Sequence, residues 1–285
     1  MGVRRAEVRV WGPGAAQLLL MPQKPKLGQN FLTDPTAQAA IVDALGDVSA
    51  RTVVEIGPGR GEITSLLAAR ARRLVAIELD REMAPQLREK FAGRESVSIL
   101  EADILGVDFS ALRDGEDEKL LVVGNLPYYI TSDILLRLFR FAGDVERAVV
   151  MLQREVADRV AGEPGTRDYG LLSVTTQMYA RVEKLMTLPP SAFSPPPQVH
   201  STVVRLTMGP RFGELGVGAE EFLPFVRSCF AQKRKMLGRN LRNAGFEAAG
   251  IAAAFEGCGV SPQARGEDVG LEAMACMFRR LRGEL

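Results

Sequence analysis

From Thr52 onward the chain alternates short, strongly apolar runs with stretches whose apolar residues recur at helical spacing. Thr52-Val53-Val54-Glu55-Ile56 is rich in β-branched residues and stops at Gly57-Pro58-Gly59-Arg60-Gly61, which predicts a buried strand opening into a tight turn. The pattern then predicts a helix over 62–71, a strand over 74–79, a helix over 81–91 and a strand over 97–102. A fourth strand is expected at 120–123, a helix at 132–141 and a fifth strand at 148–152. Strands alternating with helices need crossover connections, so the expected fold is α/β, with a mainly parallel sheet covered on both faces.

The rhythm changes after Met151. Residues 169–182 read as a helix, and 184–188 and 203–206 as short strands flanking the Pro-rich stretches Pro189-Pro190 and Pro195-Pro196-Pro197. Closely spaced late strands predict an antiparallel hairpin added to the sheet. Residues 208–219 are Gly-rich and read as a linker, and 220–285 as helices broken at Gly238, Gly245 and 257–262. The expected organisation is a disordered extension (1–20), an α/β domain (21–207), the linker (208–219) and a small all-helical domain (220–285). The extension carries Arg4, Arg5 and Arg9, but its apolar part is too short and too broken by Gly12-Pro13-Gly14 for a signal peptide, and Met21 reads as a start.

Composition narrows the function. The 285 residues suit one large or two modest domains. With 36 Lys+Arg against 35 Asp+Glu the net charge is +1, so any surface for a polyanion must be local. The three cysteines, Cys229, Cys258 and Cys276, form no CxxC, which argues against a disulfide framework or a zinc site and fits a reducing cytosol. A single histidine, His200, leaves little scope for His-based metal binding or acid–base catalysis. No apolar run has the roughly 18 to 20 residues of a membrane helix.

The candidate chemistry gathers where the strands end. Gly57, Gly59 and Gly61 let a ligand approach the backbone at a helix N-terminus. Glu78 ends the second strand and can accept both hydroxyls of a ribose. A dinucleotide reading fails on spacing, because Glu62 stands where GxGxxG needs its third glycine. A carboxylate at Glu55 also suits the cationic S-adenosylmethionine (AdoMet) better than a pyrophosphate. Asp103 is placed either to accept an adenine amino group or simply to cap the turn before Ile104. Asn125-Leu126-Pro127-Tyr128 is the sharpest signal. It sets an amide, a proline without an N–H and an aromatic ring at the crevice mouth, where acceptors can receive an NH2 group and the ring can stack on a base.

Together Gln29-Asn30-Phe31-Leu32, the GxGxG turn and Asn125-Leu126-Pro127-Tyr128 resemble the rRNA adenine N6-dimethyltransferase family. Residues 193–199 and 230–237 resemble its small-subunit branch. The likeness runs from Pro25 to about Arg282 and departs at His200, where an Asp is usual, and at Asp133, where a Pro is common. It implies a Rossmann-like AdoMet methyltransferase sheet plus the helical domain, with Asn30, Leu32, Gly57, Gly59, Glu78, Asp103 and Asn125 at the AdoMet site. It also implies that two adjacent adenosines near the 3′ end of small-subunit rRNA are each methylated twice, in the immature small ribosomal subunit. The protein is then expected to be a cytoplasmic monomer without metal.

The chemistry fits this expectation. An exocyclic adenine amine is a poor nucleophile, but the donor's leaving group is a neutral thioether that needs no acid, so positioning dominates. Asn125 and the Leu126 carbonyl would hold the amine, Pro127 would shape the turn, and Tyr128 and Phe193 would sandwich the flipped base. Residues 225–245 contain Lys233, Arg234, Lys235, Arg239 and Arg242 and no acid, which points to phosphate binding, with positions 235, 239 and 242 on one helical face. Lys24 and Lys26 would add to it. The competing readings are a non-catalytic ribosome-assembly factor of the same fold and, less well supported, a nicotinamide dehydrogenase.

Overall fold

The computed structural model describes residues 30–285, so the expected extension, Met21, Lys24, Lys26 and Gln29 lie outside the described residues. A two-residue strand, β1 (Phe31–Leu32), leads into α1 (Pro35–Asp43). That helix starts where it does because the Asp34 carboxylate accepts from Thr36 N and Ala37 N and Pro35 occupies the first turn. Then come β2 (Thr52–Ile56), α2 (Glu62–Ala68), β3 (Arg73–Glu78), α3 (Met83–Lys90), β4 (Val97–Glu101), β5 (Leu120–Asn125), α4 (Thr131–Arg140) and β6 (Val145–Gln153). All five residues of β2 are buried, as a strand covered on both faces requires.

The second half contains α5 (Arg154–Val160), α6 (Leu171–Tyr179), β7 (Ala180–Leu188), β8 (Phe193–Ser194) and β9 (Ser201–Met208). It ends in α7 (Phe212–Leu215), α8 (Ala219–Cys229), α9 (Leu237–Asn243), α10 (Ala248–Gly257) and α11 (Leu271–Leu281). The helix expected over 169–182 stops at Tyr179. Ala180 has extended dihedrals (φ −152°, ψ 151°), and the following residues join the sheet instead of continuing the helix. Neither α5 nor the β1–β8 pair follows from the hydrophobic pattern, since a two-residue strand has no periodicity to read.

The seven-stranded sheet has the order β4-β3-β2-β5-β6-β9-β7. The pairs β3–β4, β2–β3, β2–β5 and β5–β6 are parallel, and a late antiparallel hairpin completes the mixed sheet as expected. From β2 the chain steps outward through β3 to β4 and then returns to the other side of β2 as β5. This reversal opens a crevice at the C-terminal ends of β2 and β5, the place where open α/β sheets take ligands. Register brings Ile56 opposite both Ile77 and Gly124, so the ends of three strands lie level there.

The described chain divides into two compact units. One runs to Gln153 and includes Met186–Arg205; the other comprises Arg154–Leu185 and Leu206–Leu285. The division therefore does not fall at 207/208. Tyr169, Val174 and Met178 belong to the core of the helical unit, beside Phe222, Phe225 and Phe278. The expected linker holds α7, whose Leu215 is buried in that same core. Phe222 and Phe225 each lie 5.3 Å from the Phe278 ring. The cysteine expectation is corrected here. Cys258, at the end of α10, and Cys276, on α11, form a disulfide with Cα atoms 5.9 Å apart, while Cys229 is free and buried. Sequence separation offered no hint of it, because the packing of α10 on α11 brings the two together. No helix among the described residues is long and apolar enough to cross a membrane.

Gly124 sets how closely β2 and β5 approach at the crevice. A Cβ there would stand 2.6 Å from the Ile56 carbonyl oxygen and 3.0 Å from the Ile56 side chain. Because the obstacle is backbone, Gly124→Ala should lower unfolding free energy by about 1–3 kcal/mol, read by denaturant titration. An unchanged midpoint would show that the strands can part freely.

Candidate active site and basic turn

A cavity of about 300 Å³ opens at the strand ends. Its wall carries Asn30 and Phe31 from the β1 segment, Ile56, Gly57 and Gly59 from the first turn, and Ile77, Glu78 and Leu79 from the end of β3. Ala102, Asp103 and Ile104 add the β4 side, and 125–130 the β5 side. Two carboxylates line it and no lysine or arginine does. A site without a cation is poorly suited to a pyrophosphate and well suited to a cationic ligand.

The first turn has a backbone that favours glycine. Gly57, Gly59 and Gly61 have φ of 66°, 59° and 82°, the left-handed region that side chains avoid. A Cβ on Gly59 would also meet the Phe31 ring at 2.9 Å. The Arg60 guanidinium lies over that ring, 4.4 Å from its centre. Glu78 is buried, and its carboxylate accepts from Gly59 N (3.3 Å) and Asp80 N (2.9 Å). Burial raises its pKa above the usual range, and those two N–H groups hold the rise in check. Of the two roles considered for Asp103, the cap is visible. Its Oδ1 caps the turn after β4 by accepting from Leu105 N at 2.9 Å, and the residue lines the cavity.

At the end of β5 the Asn125 amide nitrogen donates to the Asn30 carbonyl at 2.9 Å. With the nitrogen engaged, the Asn125 oxygen is the end left to receive a donor. The Pro127 carbonyl is already occupied by Ile130 N (3.2 Å) and Thr131 Oγ1 (3.0 Å), so a second acceptor has to come from another carbonyl of the motif, and the Leu126 carbonyl is the one the sequence pointed to. Leu126 itself is buried, with its N–H on the Met151 carbonyl. The Tyr128 hydroxyl sits 2.9 Å from Ser201 Oγ on β9, which fixes the ring at the cavity wall.

Two expected site residues lie elsewhere. Leu32 is 5% exposed and Phe193 4% exposed; they pair with each other across β1 and β8, and neither lines the cavity. Side chains alternate along a strand, so with Phe31 toward the cavity Leu32 turns away and takes its partner Phe193 into the core. The expected sandwich therefore lacks its Phe193 side. Phe31, Leu79 and Tyr129 are among the cavity residues that were not expected at the site. Tyr129 was open to detection as a second tyrosine directly after the motif.

In the helical unit Lys233, Arg234 and Lys235 occupy an exposed turn between α8 and α9, so position 235 does not share a helical face with 239 and 242 as expected. Arg234 has φ 69°. Arg239 and Arg242 are exposed on α9 itself. Arg211 and Arg282 in this unit are paired with carboxylates, whereas none of these five basic residues is ion-paired among the described residues. Sequence reasoning missed what shapes the turn. Asn240 is buried on α9 and donates to the carbonyls of Cys229 (2.9 Å) and Gln232 (3.3 Å), tying the chain that leads into the basic segment to the helix.

Residues 21–282 match the family described as ribosomal RNA adenine dimethylase. The chain belongs to that family. It is 65% identical over 259 residues to a protein of Acidobacterium capsulatum named ribosomal RNA small subunit methyltransferase A, covering 90% of this chain and 91% of that one. Among solved structures, a dimethyladenosine transferase from Plasmodium falciparum superposes with a TM-score of 0.76 at 21% identity, over 89% of this chain and 98% of that one. The 23S rRNA methyltransferase ErmE superposes with a TM-score of 0.70 at 29% identity, over 89% and 100%. The chain is thus an rRNA adenine dimethyltransferase with the Rossmann-like methyltransferase fold.

One buried group of this dimethylase is set to titrate near neutrality. Glu55 on β2 is 2% exposed, and its Oε2 has no hydrogen-bond partner among the described residues. Burial pushes its carboxyl up to about 7, with Glu62 and Glu78 adding to the rise and Thr64 opposing it. Between about 4.5, the ordinary value, and about 7 the folded chain keeps a proton that the unfolded chain has released. The contribution of Glu55 to stability therefore falls as pH rises through that window, by on the order of 3 kcal/mol in full. Glu55→Gln removes the titration. The stability of the variant relative to wild type should climb from pH 4 to pH 8, measured by denaturant unfolding in the absence of ligand. A flat difference across that range would mean Glu55 ionises normally.

Proposed function

We propose that this chain uses AdoMet to dimethylate the N6 amines of two adjacent adenosines near the 3′ end of small-subunit rRNA, acting as a cytoplasmic monomer on the immature small ribosomal subunit. The observation that carries the reading is the acceptor pair at the cavity mouth, Asn125 Oδ1 and the Leu126 carbonyl, with the Asn125 amide oriented by Asn30. An exocyclic amine has two N–H groups, and two fixed acceptors can hold both. Held so, its lone pair is turned away from the acceptors and out of conjugation with the ring.

The cavity fits AdoMet by the chemistry of its donors. Glu78 suits the ribose hydroxyls, Asp103 the adenine amino group, and the left-handed glycine turn a close approach of the ligand to the backbone. Bound there, AdoMet supplies an electrophilic methyl group whose departure leaves a neutral thioether. The protein's part is to bind, to orient and to exclude water. The apolar residues Phe31, Ile56, Leu79, Ile104 and Leu126 around the polar groups serve the last of these. Tyr128 provides a face for the flipped adenine. The unpaired basic turn supports rRNA phosphate contacts by Lys233, Arg234, Lys235, Arg239 and Arg242. A purely structural assembly role would leave the oriented acceptor pair and the carboxylate-lined cavity without a purpose.

The test is methyl transfer from labelled AdoMet to small subunits isolated from a strain that lacks this modification, with N6,N6-dimethyladenosine read by mass spectrometry. Wild type should modify both adenosines. Glu78→Ala should weaken AdoMet binding roughly 10- to 150-fold, the loss of a hydrogen bond to a charged group, whereas Asn125→Ala should act mainly on the transfer rate. Asn125→Asp should be impaired as well, since it cannot donate to the Asn30 carbonyl. Activity of Asn125→Asp equal to wild type would remove the orientation argument. Lys233→Glu with Lys235→Glu should abolish methylation, spare AdoMet binding and flatten the salt dependence of RNA affinity. An unchanged RNA dissociation constant would mark the turn as an ordinary solvated surface.

A further inference from the structure

Tyr129 has no structural reason to be aromatic. It is 60% exposed, the highest value among the large exposed hydrophobic residues of the described chain, yet it lies on the cavity rim. It sits in the 3-10 turn Tyr128–Ile130, in which no residue is buried. Successive residues of such a turn point about 120° apart. With the Tyr128 ring held to the wall by Ser201, the Tyr129 ring faces another way, outward along the rim. So large an apolar ring left in solvent contributes little to folding.

We propose that Tyr129 is a second stacking platform, which takes the base of the nucleotide next to the adenosine being methylated. The inference rests on the proposed reaction and adds to it a contact for the neighbouring residue of the strand. When one adenine is drawn into the cavity, the adjacent base loses a stacking partner, at a cost of a few kcal/mol. An exposed ring on the rim beside the cavity replaces that partner, since any base offers a π-face. Because two neighbouring adenosines are substrates, the base held on Tyr129 during one transfer is itself a target. Tyr129 thus keeps the second adenosine at the mouth of the cavity while Tyr128 serves the first. Its consecutive position with Tyr128 matches the consecutive position of the two targets.

The experiment compares wild type, Tyr129→Ala, Tyr129→Leu and Tyr129→Phe, as full chains, on small subunits lacking the modification. It reads AdoMet affinity, melting temperature, the single-turnover rate and the fraction of subunits methylated at one adenosine only. An excess of unlabelled subunits, added after the first transfer, traps any enzyme that lets go. Tyr129→Ala and Tyr129→Leu should keep AdoMet affinity and melting temperature. Their transfer should slow about 5- to 150-fold, the range that 1–3 kcal/mol of stacking implies, and singly modified subunits should accumulate. Tyr129→Phe should restore most of the rate, because the role needs a ring and not a hydroxyl. Tyr129→Leu matching wild type in rate and products would overturn the proposal, and so would a loss of AdoMet affinity in Tyr129→Ala. If wild type makes no dimethyladenosine, the proposed reaction itself fails, and that outcome is distinct because it precedes any comparison of variants.

Discussion

Asn125 can offer an oxygen to an incoming amine because its nitrogen is held by the carbonyl of Asn30, and that one hydrogen bond makes the acceptor depend on a segment far away in sequence. Asn30 is fixed in turn through its neighbours on the C-terminal side. Phe31 and Leu32 pair with Ser194 and Phe193, Thr33 N donates to Ala192 O at 2.8 Å, and Gln38 Nε2 donates to Leu32 O at 2.8 Å. The two-stranded patch of β1 and β8 lies outside the main sheet, yet it sets the amide at the tip of β5. Phe193 acts in this chain of contacts as a buried partner of Leu32. Its influence on the site runs through packing, and a packing role makes the same aromatic residue necessary without placing it against a base.

Electrostatics divides the molecule by location, since the net charge of +1 conceals two opposed regions. The cavity presents carboxylates and no cation, and the carboxyls of both Glu55 and Glu78 are pushed toward the neutral form by burial. A cationic ligand in the cavity would favour the ionised form of Glu78, the one of the two that lines it. The basic turn is the reverse case. Its cations are exposed, unpaired among the described residues, and held in shape by Asn240 rather than by acids. A phosphate strand can therefore bind them without first breaking ion pairs.

The parallel strands, their order of appearance and the place of the crevice were legible in the sequence, because buried β-branched runs, glycine turns and Asn125-Leu126-Pro127-Tyr128 are local signals. Glu78, Asp103, Gly57 and Gly59 lie on the cavity wall where the strand ends suggested. What escaped reading depends on contacts between distant segments. The Leu32–Phe193 pairing, the Cys258–Cys276 bridge and the membership of α5 and α6 in the helical unit arise from packing across many residues. The alternation that turns Phe31 inward and Leu32 away is a matter of which face the strand presents, and two residues carry no period from which to learn it. The expected helical face through 235, 239 and 242 failed for a similar reason, since the helix begins only at Leu237.

A reaction that needs no proton donor for its leaving group can be run by an amide, a backbone carbonyl and an aromatic face, so the proposed reaction has no need of a catalytic His or Cys. The same set constrains the second transfer of the proposed reaction. After one methylation the amine keeps a single N–H, so only one of Asn125 Oδ1 and the Leu126 carbonyl can still accept a hydrogen bond from it. The Leu126 carbonyl belongs to a buried residue whose N–H is bound to Met151, and it cannot turn away. Asn125 is tethered through its nitrogen to Asn30, but its acceptor sits on a side chain that can rotate when that bond is given up. An acceptor that can move need not stay unpaired. In the proposed second transfer the remaining N–H is therefore held by the Leu126 carbonyl, with the new methyl group on the side of Asn125, the one acceptor of the two that can move aside.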